Sequence, residues 1–214
     1  MKLALVAPNL TVPPTGWCAV SEVVAKLAKY LRLLGHDVWV LSGDHPGNRT
    51  TLLYNPFDFV ILHCEEWIDY YADCVNNLYV TPHYGYINHP HKWTGYYDHI
   101  MDRMLKRTKG IICLSEEIKT LFESAGYKGK LAVCNNGAED NFQRHCITYN
   151  KAICLGKIDK DDRKGQVKLL KNYPQSGDVQ IDFVGPNENP EFLTELAKVP
   201  NCKYLGSWTK ADLY

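Results

Sequence analysis

The sequence predicts an α/β fold in which parallel β-sheets carry helices on their faces. Short apolar runs alternate with stretches of helical periodicity along most of the 214 residues, which is the pattern of repeated strand–helix–strand units. A polar stretch without periodicity interrupts this alternation at residues 135–150 and is interpreted as a linker. We therefore expect a Rossmann-like domain over residues 1–145 and an incomplete second Rossmann-like domain over residues 151–214.

The first strand–helix–strand unit lies at the N-terminus. Residues 3–7 are an apolar strand, and residues 8–18 are a polar loop that contains prolines. Residues 20–34 carry apolar side chains at helical spacing, and Gly35 follows where a left-handed residue commonly ends a helix. Residues 38–41 form the next strand. Two strands joined through a helix are expected to pair in parallel.

Four more apolar runs extend this domain. They predict strands at residues 57–63, 78–81, 110–114 and 130–134. The segments between them predict a helix at residues 68–75, a long aromatic loop at residues 82–97 and a helix at residues 98–108. Ser115 is expected to cap one further helix, because its hydroxyl can accept a hydrogen bond from a free amide at the helix start.

The second domain has three predicted strands and two predicted helices. The strands are residues 153–156, 179–185 and 202–206, and the helices are residues 166–172 and 190–198. Residues 210–214 are expected to begin a third helix. A doubly wound sheet usually has five or six strands, so this second domain is expected to be partial.

Charge and cysteine content disfavour several functional classes. The chain has 24 basic and 24 acidic residues and a pI near 7.1, so it lacks the broad positive field that binds nucleic acids or anionic membranes. The eight cysteines include no CxxC pair, and no segment has the form of a signal peptide or a membrane span. We therefore expect a cytoplasmic protein with reduced thiols, no transmembrane segment and no nucleic-acid partner.

The strongest candidate site is the turn within residues 152–165, AICLGKIDKDDRKG. A short strand leads into a turn that carries Lys157, and Lys164-Gly165 then opens a helix. Ammonium groups and free amides at a helix start both attract negative charge, which predicts a diphosphate site. The alternative is a solvated loop. Asp159-Lys160-Asp161 matches a D-x-D metal-binding pattern, but we interpret it as loop polarity and expect no metal.

Two further candidates follow strands of the first domain. Gly16 enters the first helix, where a glycine allows a phosphate or sugar to approach the backbone, although a plain turn glycine would look the same. The G-x-G-x-x-G pattern of nicotinamide and flavin enzymes is absent from this loop. His83 ends a strand and is either a functional residue or a structural histidine. His89 and His91 do not complete a metal site with His83, because no carboxylate or cysteine is suitably spaced.

Short motifs occur along the chain in a defined order. The first domain contains Pro13-Pro14-Thr15-Gly16, Gly35-His36-Asp37-Val38, Thr81-Pro82-His83 and Ile112-Cys113-Leu114-Ser115-Glu116. These are followed by Asn136-Gly137-Ala138-Glu139, Leu155-Gly156-Lys157, Lys164-Gly165, Phe183-Val184-Gly185 and Leu205-Gly206. In this order, which spans nearly the whole chain, the motifs resemble those of glycosyltransferase family 4, a retaining group with the GT-B fold.

The resemblance implies two Rossmann-like domains, the first on the acceptor side, that face a cleft for a nucleotide-sugar. It places Lys157 and Lys164 on the donor diphosphate as catalytic residues. The family commonly has arginine at the first position, and a lysine keeps the charge but lacks the bidentate fork. The resemblance also implies His83 near the donor sugar as a third catalytic residue, and Gly16, Trp17, Gly165 and Gly185 as donor-binding residues. The implied reaction transfers a sugar from a UDP- or GDP-sugar to a glycan or other acceptor, with retention and without metal or other cofactor.

The chain also departs from the family pattern. Trp17 stands where the family often has a second glycine, and the later family segment that holds the donor sugar and ribose would lie beyond residue 214. A second interpretation is therefore a catalytically incomplete nucleotide-sugar-binding or scaffold subunit, completed by a partner chain or by a homo-oligomer. A nucleotide-sugar epimerase or dehydrogenase is a third interpretation, which the loop around Gly16 disfavours.

Overall fold

The chain was analysed as a computed structural model that describes residues 1–7, 19–43, 45–83, 96–137, 150–162, 164–174 and 177–208. It divides into two compact units, Met1–Glu139 and Asp140–Tyr214. Each unit contains its own parallel sheet and its own apolar core.

The first unit is built on a six-stranded parallel sheet. Its strands are β1 (Lys2–Ala7), β2 (Asp37–Ser42), β3 (Phe59–Leu62), β4 (Leu78–Val80), β5 (Gly110–Cys113) and β6 (Lys130–Val133). They lie in the order β2-β1-β3-β4-β5-β6, and all neighbours pair in parallel. The predicted α/β class is therefore confirmed, although β3 is shorter than the predicted run 57–63.

Five α-helices accompany this sheet in the described part of the first unit. They are α1 (Ala19–Leu33), α2 (Asn48–Tyr54), α3 (Ile68–Ala72), α4 (Tyr96–Arg107) and α5 (Glu116–Ser124), and a 3₁₀ turn at Glu65–Trp67 precedes α3. Gly35 follows α1 with a φ of +83°, as the sequence predicted. Ser115 caps α5, since its side chain accepts a hydrogen bond from the amide of Ile118 at 3.2 Å.

The sheet of the first unit buries both of its faces. Ala4 and Val6 of β1 belong to the larger apolar cluster, which also contains Leu62, Met104 and Phe122. The alternate residues of β1 pack into a second cluster with residues of α1 and β2; this cluster comprises Leu3, Leu5, Ala7, Val24, Ala28 and Val38. Successive side chains of a strand point to opposite faces, so the continuously apolar β1 requires cover on both sides.

The second unit contains a three-stranded parallel sheet. Its strands are β7 (Lys151–Leu155), β8 (Gln180–Val184) and β9 (Cys202–Tyr204), in that order, and its helices are α6 (Gln166–Asn172) and α7 (Pro190–Leu196). The predicted alternation is present, although α7 ends at Leu196 instead of residue 198. The fully buried ring of Phe192 contacts Phe183 and Tyr204, with ring centroids 5.2 and 5.6 Å apart. The predicted helix at residues 210–214 lies outside the described residues.

The described residues can be compared with the expectations about membrane spans and cysteines. Within the described residues, no helix is long and apolar enough to cross a membrane. The six cysteines in this part of the chain are free thiols, of which Cys113 is buried and Cys134 is exposed.

Candidate functional site

Lys157 lies in the turn that follows β7, and its ammonium group is engaged in an ion pair. Nζ of Lys157 is 2.8 Å from Oε1 of Glu188, and the two side chains are 44% and 49% exposed. At that exposure solvent screens the pair, which is worth less than about 1 kcal/mol. An anionic ligand therefore has to compete with Glu188 for Lys157, but the competition is weak. The sequence analysis did not identify Glu188.

Lys164 reaches back across the same turn. Its Nζ lies 2.6 Å from the point that a Cβ on Gly156 would occupy, and Gly156 has a φ of +143°. A side chain at this position would therefore meet the ammonium group, and the backbone conformation itself favours glycine. The turn thus brings the amine of Lys164 beside the residue that directly precedes Lys157.

Gly185 allows two backbone segments to approach each other at the ends of β7 and β8. A Cβ on Gly185 would lie 2.2 Å from the carbonyl oxygen of Gly156, and the φ of Gly185 is +141°. The amide of Gly185 donates to the carbonyl of Gly206 at 2.9 Å, and the amide of Gly156 donates to that of Val184 at 2.9 Å. Gly185 therefore packs the turns together; its contact with a ligand stays a prediction.

The start of α6 differs from the expectation of free helix amides. The carboxylate of Asp162 accepts hydrogen bonds from the amides of Val167 and Lys168, both at 2.9 Å. Gly165 precedes the helix with a φ of +73° and donates its own amide to the carbonyl of Asp162 at 2.8 Å. The side-chain carboxylate of Asp162 therefore occupies two of these donors, and its main-chain carbonyl occupies the third. The expectation that they remain free for a diphosphate is therefore wrong.

Gln166, the first residue of α6, is a buried polar residue that the sequence analysis missed. It is 2% exposed. Its Nε2 donates to the carbonyl of Lys157 at 3.2 Å and to that of Gly156 at 3.5 Å. Its Oε1 is buried and has no hydrogen-bond partner among the described residues. Gln166 thus holds the turn that carries Lys157, and no sequence motif marks it.

The D-x-D triplet belongs to a closely held turn. Asp159 is only 6% exposed, whereas Lys160 and Asp161 are exposed, so loop polarity describes only the last two residues of the triplet. The side-chain amide of Asn189 donates to the carbonyls of Asp159 and Lys160, at 3.1 and 3.2 Å. Among the described residues, no group of three His, Cys, Asp or Glu side chains is arranged to hold a metal ion.

In the first unit, two histidines meet beyond the carboxyl ends of adjacent strands. His63 follows β3 directly, and His83 lies just after β4. Nδ1 of His63 is 2.9 Å from Nε2 of His83, and the ring centroids are 5.2 Å apart with the ring planes inclined by 27°. Burial lowers the pKa of His63 to about 3, with a smaller contribution from His83. Burial also lowers the pKa of His83, so both rings are neutral at neutral pH.

Glu65 is a second buried titratable residue near this strand end. It begins the 3₁₀ turn and is 0% exposed. Burial raises the pKa of Glu65 to about 8, because its charged form is poorly solvated. No sequence motif marks Glu65, so only the fold reveals this buried carboxyl.

The sheet order places these residues near the usual ligand position of open α/β folds. The order reverses at β1, which lies between β2 and β3, and ligands commonly bind beyond the carboxyl ends of strands at such a point. His63 lies at the carboxyl end of β3. Gly16 and Trp17 fall in the loop that follows β1, outside the described residues.

Comparison with known proteins gives the fold an independent test. No protein-family model and no curated protein match the chain. Among solved structures, the chain is similar to a β-glucosyltransferase of phage T4, with 13% sequence identity and a TM-score of 0.52. The alignment covers 99% of this chain and 67% of the phage protein. A similarity at this identity concerns the fold and does not single out family 4. It confirms a GT-B-like fold with a Rossmann-like parallel sheet.

Proposed function

We propose that the chain is a glycosyltransferase of the family 4 type, which transfers a sugar from a UDP- or GDP-sugar to an acceptor without a bound metal. The observation that carries this proposal is the turn at Gly156-Lys157, where Nζ of Lys164 approaches Gly156 and Lys157 pairs with a half-exposed Glu188. The GT-B fold and the order of the motifs support the same reaction class. The proposal assigns the donor diphosphate to this turn.

The chemical role of the two lysines follows from the charge that the reaction develops. Cleavage of the sugar–phosphate bond leaves a nucleoside diphosphate whose terminal oxygens gain negative charge. Fixed ammonium groups stabilise that charge without a metal ion. Lys164 is exposed and is not held in an ion pair that the structure describes, so it is the stronger candidate. Lys157 joins it when the ligand displaces Glu188.

The proposal also gives roles to the remaining candidate residues. Gly165 and Gly185 shape the turn around the two lysines, through positive φ angles and close backbone approach. The family resemblance assigns His83 to the donor sugar. It also assigns Gly16 and Trp17 to donor binding, and both of these residues lie outside the described part of the chain.

A thermal-shift panel of nucleoside diphosphates tests the diphosphate site. UDP or GDP should raise the melting temperature, because a ligand at about 100 times its Kd stabilises the folded state by about 2.7 kcal/mol. Lys164→Ala should abolish the shift. Lys168→Ala is the matched control, since Lys168 is also exposed, lies four positions further on and leaves the turn intact. Absence of any shift, or an unchanged shift in Lys164→Ala, would contradict the site.

The stereochemical part of the proposal has its own measurement. With an α-linked nucleotide-sugar, retention gives an α-linked product, which the coupling constant of the anomeric proton identifies by NMR. The structural neighbour is named as a β-glucosyltransferase, so the opposite outcome is a meaningful alternative. A β-linked product would contradict retention while supporting glycosyl transfer. Activity that persists in EDTA would support the metal-independent reaction.

One observation favours the second interpretation, a nucleotide-sugar-binding subunit completed by a partner chain. Ile153 and Leu155 on one face of β7 are 62% and 50% exposed, and Leu205 is 39% exposed. Apolar side chains exposed together often mark a surface that another chain covers. Sedimentation of the purified protein distinguishes the two cases. A monomer that transfers sugar by itself would exclude the subunit interpretation.

A further inference from the structure

The buried His63 has no role in the function proposed so far. It is 2% exposed, and its Nδ1 is 2.9 Å from Nε2 of His83. Each neutral imidazole carries one proton, on either of its nitrogens. A hydrogen bond between these two nitrogens therefore requires a proton on one of them and a lone pair on the other.

The surroundings of His63 decide which ring donates. Its other nitrogen, Nε2, is buried without a hydrogen-bond partner in the described part of the chain. If His83 donated, the proton of His63 would have to sit on this Nε2 and would be a buried N–H without an acceptor. Orphaned buried N–H groups are rarer than under-satisfied acceptors. A proton on Nδ1 of His63 avoids that cost and still makes the hydrogen bond.

We propose that His63 is a positioning residue that donates its Nδ1–H to Nε2 of His83 and so holds the His83 proton on Nδ1. The nitrogen of His83 left for a substrate is then a hydrogen-bond donor. It binds an oxygen acceptor, such as a sugar hydroxyl, and does not act as a base. This inference deepens the proposed function and rests on it for the identity of the substrate. The tautomer itself does not depend on that function.

NMR of protein labelled with ¹⁵N-histidine tests the tautomer directly. At about pH 8, above the ordinary histidine pKa of about 6.5, long-range proton–nitrogen spectra distinguish protonated from unprotonated ring nitrogens. His83 should show a protonated Nδ1 and a hydrogen-bonded, unprotonated Nε2. His45 is the internal reference, because its Nδ1 accepts the amide of Gly47 at 3.1 Å and should show the opposite pattern. A proton on Nε2 of His83 would overturn the proposal.

Two substitutions at His63 separate positioning from simple loss of packing. His63→Leu removes the donor, so His83 should lose its fixed tautomer. His63→Asn keeps an amide N–H near the place of Nδ1, so it should preserve the Nδ1–H form of His83. Once an acceptor is known, we expect His63→Leu to lower kcat roughly tenfold, the effect of one lost hydrogen bond, with His63→Asn less affected.

These measurements also separate the inference from the proposed function. If no nucleotide shifts the melting temperature but the His83 tautomer is as expected, the function fails and the histidine arrangement stands. If nucleotides bind but His63→Leu leaves the His83 tautomer unchanged, the positioning role of His63 is excluded. Should His63→Leu not fold, the wild-type spectrum and His63→Asn still decide the question.

Discussion

Gly185→Ala should unfold the second unit. The added Cβ would lie 2.2 Å from the carbonyl oxygen and 2.6 Å from the carbonyl carbon of Gly156. Both contacts are with backbone atoms of the neighbouring turn, which cannot rotate away as a side chain can. In addition, Gly185 has a φ of +141°, a backbone conformation that alanine rarely adopts. We expect the free energy of unfolding of this unit to fall by more than about 4 kcal/mol.

Gly206→Ala is the matched control for this substitution. Gly206 also has a positive φ, +83°, but an added Cβ would meet nothing within 4 Å. Only the backbone penalty of about 1–2 kcal/mol should then appear. Urea unfolding followed through the indole NMR signal of Trp208, whose Nε1 donates to Leu205 in this unit, measures both variants. Equal stabilities of the two variants would show that the turns move apart at little cost.

The second large effect is a loss of stability as the pH rises through neutrality toward 8, and it is caused by Glu65. Its pKa is about 8 in the folded protein, against an ordinary value of 4.5. Between these values the folded chain holds a proton that the unfolded chain has released. The free energy of unfolding therefore decreases as pH rises, by up to about 1.4 kcal/mol per pH unit.

Protonation of His63 makes the free energy of unfolding change with pH in the opposite direction. Its pKa is about 3 in the folded protein, against an ordinary value of 6.5, so the unfolded chain binds a proton that the folded chain does not. The associated stability is present above pH 6.5 and is lost as pH falls toward 3. Between about pH 4.5 and 6.5 the two contributions to the pH dependence of the free energy of unfolding cancel. These two groups therefore predict constant stability in that range and lower stability at both lower and higher pH.

Glu65→Gln should remove this loss of stability between about pH 6.5 and 8. From about pH 6.5 to 8, the free energy of unfolding of the wild-type protein should fall by about 2 kcal/mol, whereas that of the variant should stay constant. Urea unfolding at several pH values, followed by the fluorescence of the first unit, provides the measurement. Glu66→Gln is the control, because Glu66 is the adjacent residue and is exposed. Parallel pH profiles for wild type and Glu65→Gln would show that Glu65 is ionised in the folded protein.

Sequence patterns predicted most of the fold because its strands are locally encoded. The run at residues 3–7 is apolar at every position, and the structure buries it between two clusters. By contrast, α2 was missed, since the segment NRTTLLY is short and mostly polar and has no side-chain cap. Its place depends on contacts such as that of the buried Leu52 with the larger cluster, which no local pattern shows.

The candidate site could be predicted only where it is local in sequence. Lys157 and Lys164 were identified because they share one turn. Their neighbour Glu188 comes from the segment after β8, and its approach depends on the pairing of β7 with β8. The contact between His63 and His83 likewise depends on β3 lying beside β4. Periodicity and motif order contain no information on which strands become neighbours.

The ion pair between Lys157 and Glu188 has a consequence for anion selectivity. The carboxylate acts as a tethered counterion that is always present at high local concentration, whereas chloride must be recruited from solution. Because the half-exposed pair is weak, a monovalent anion gains little at Lys157 over the carboxylate that it replaces. A ligand with two adjacent phosphates brings more charge and several oxygens, which favours its exchange for the carboxylate.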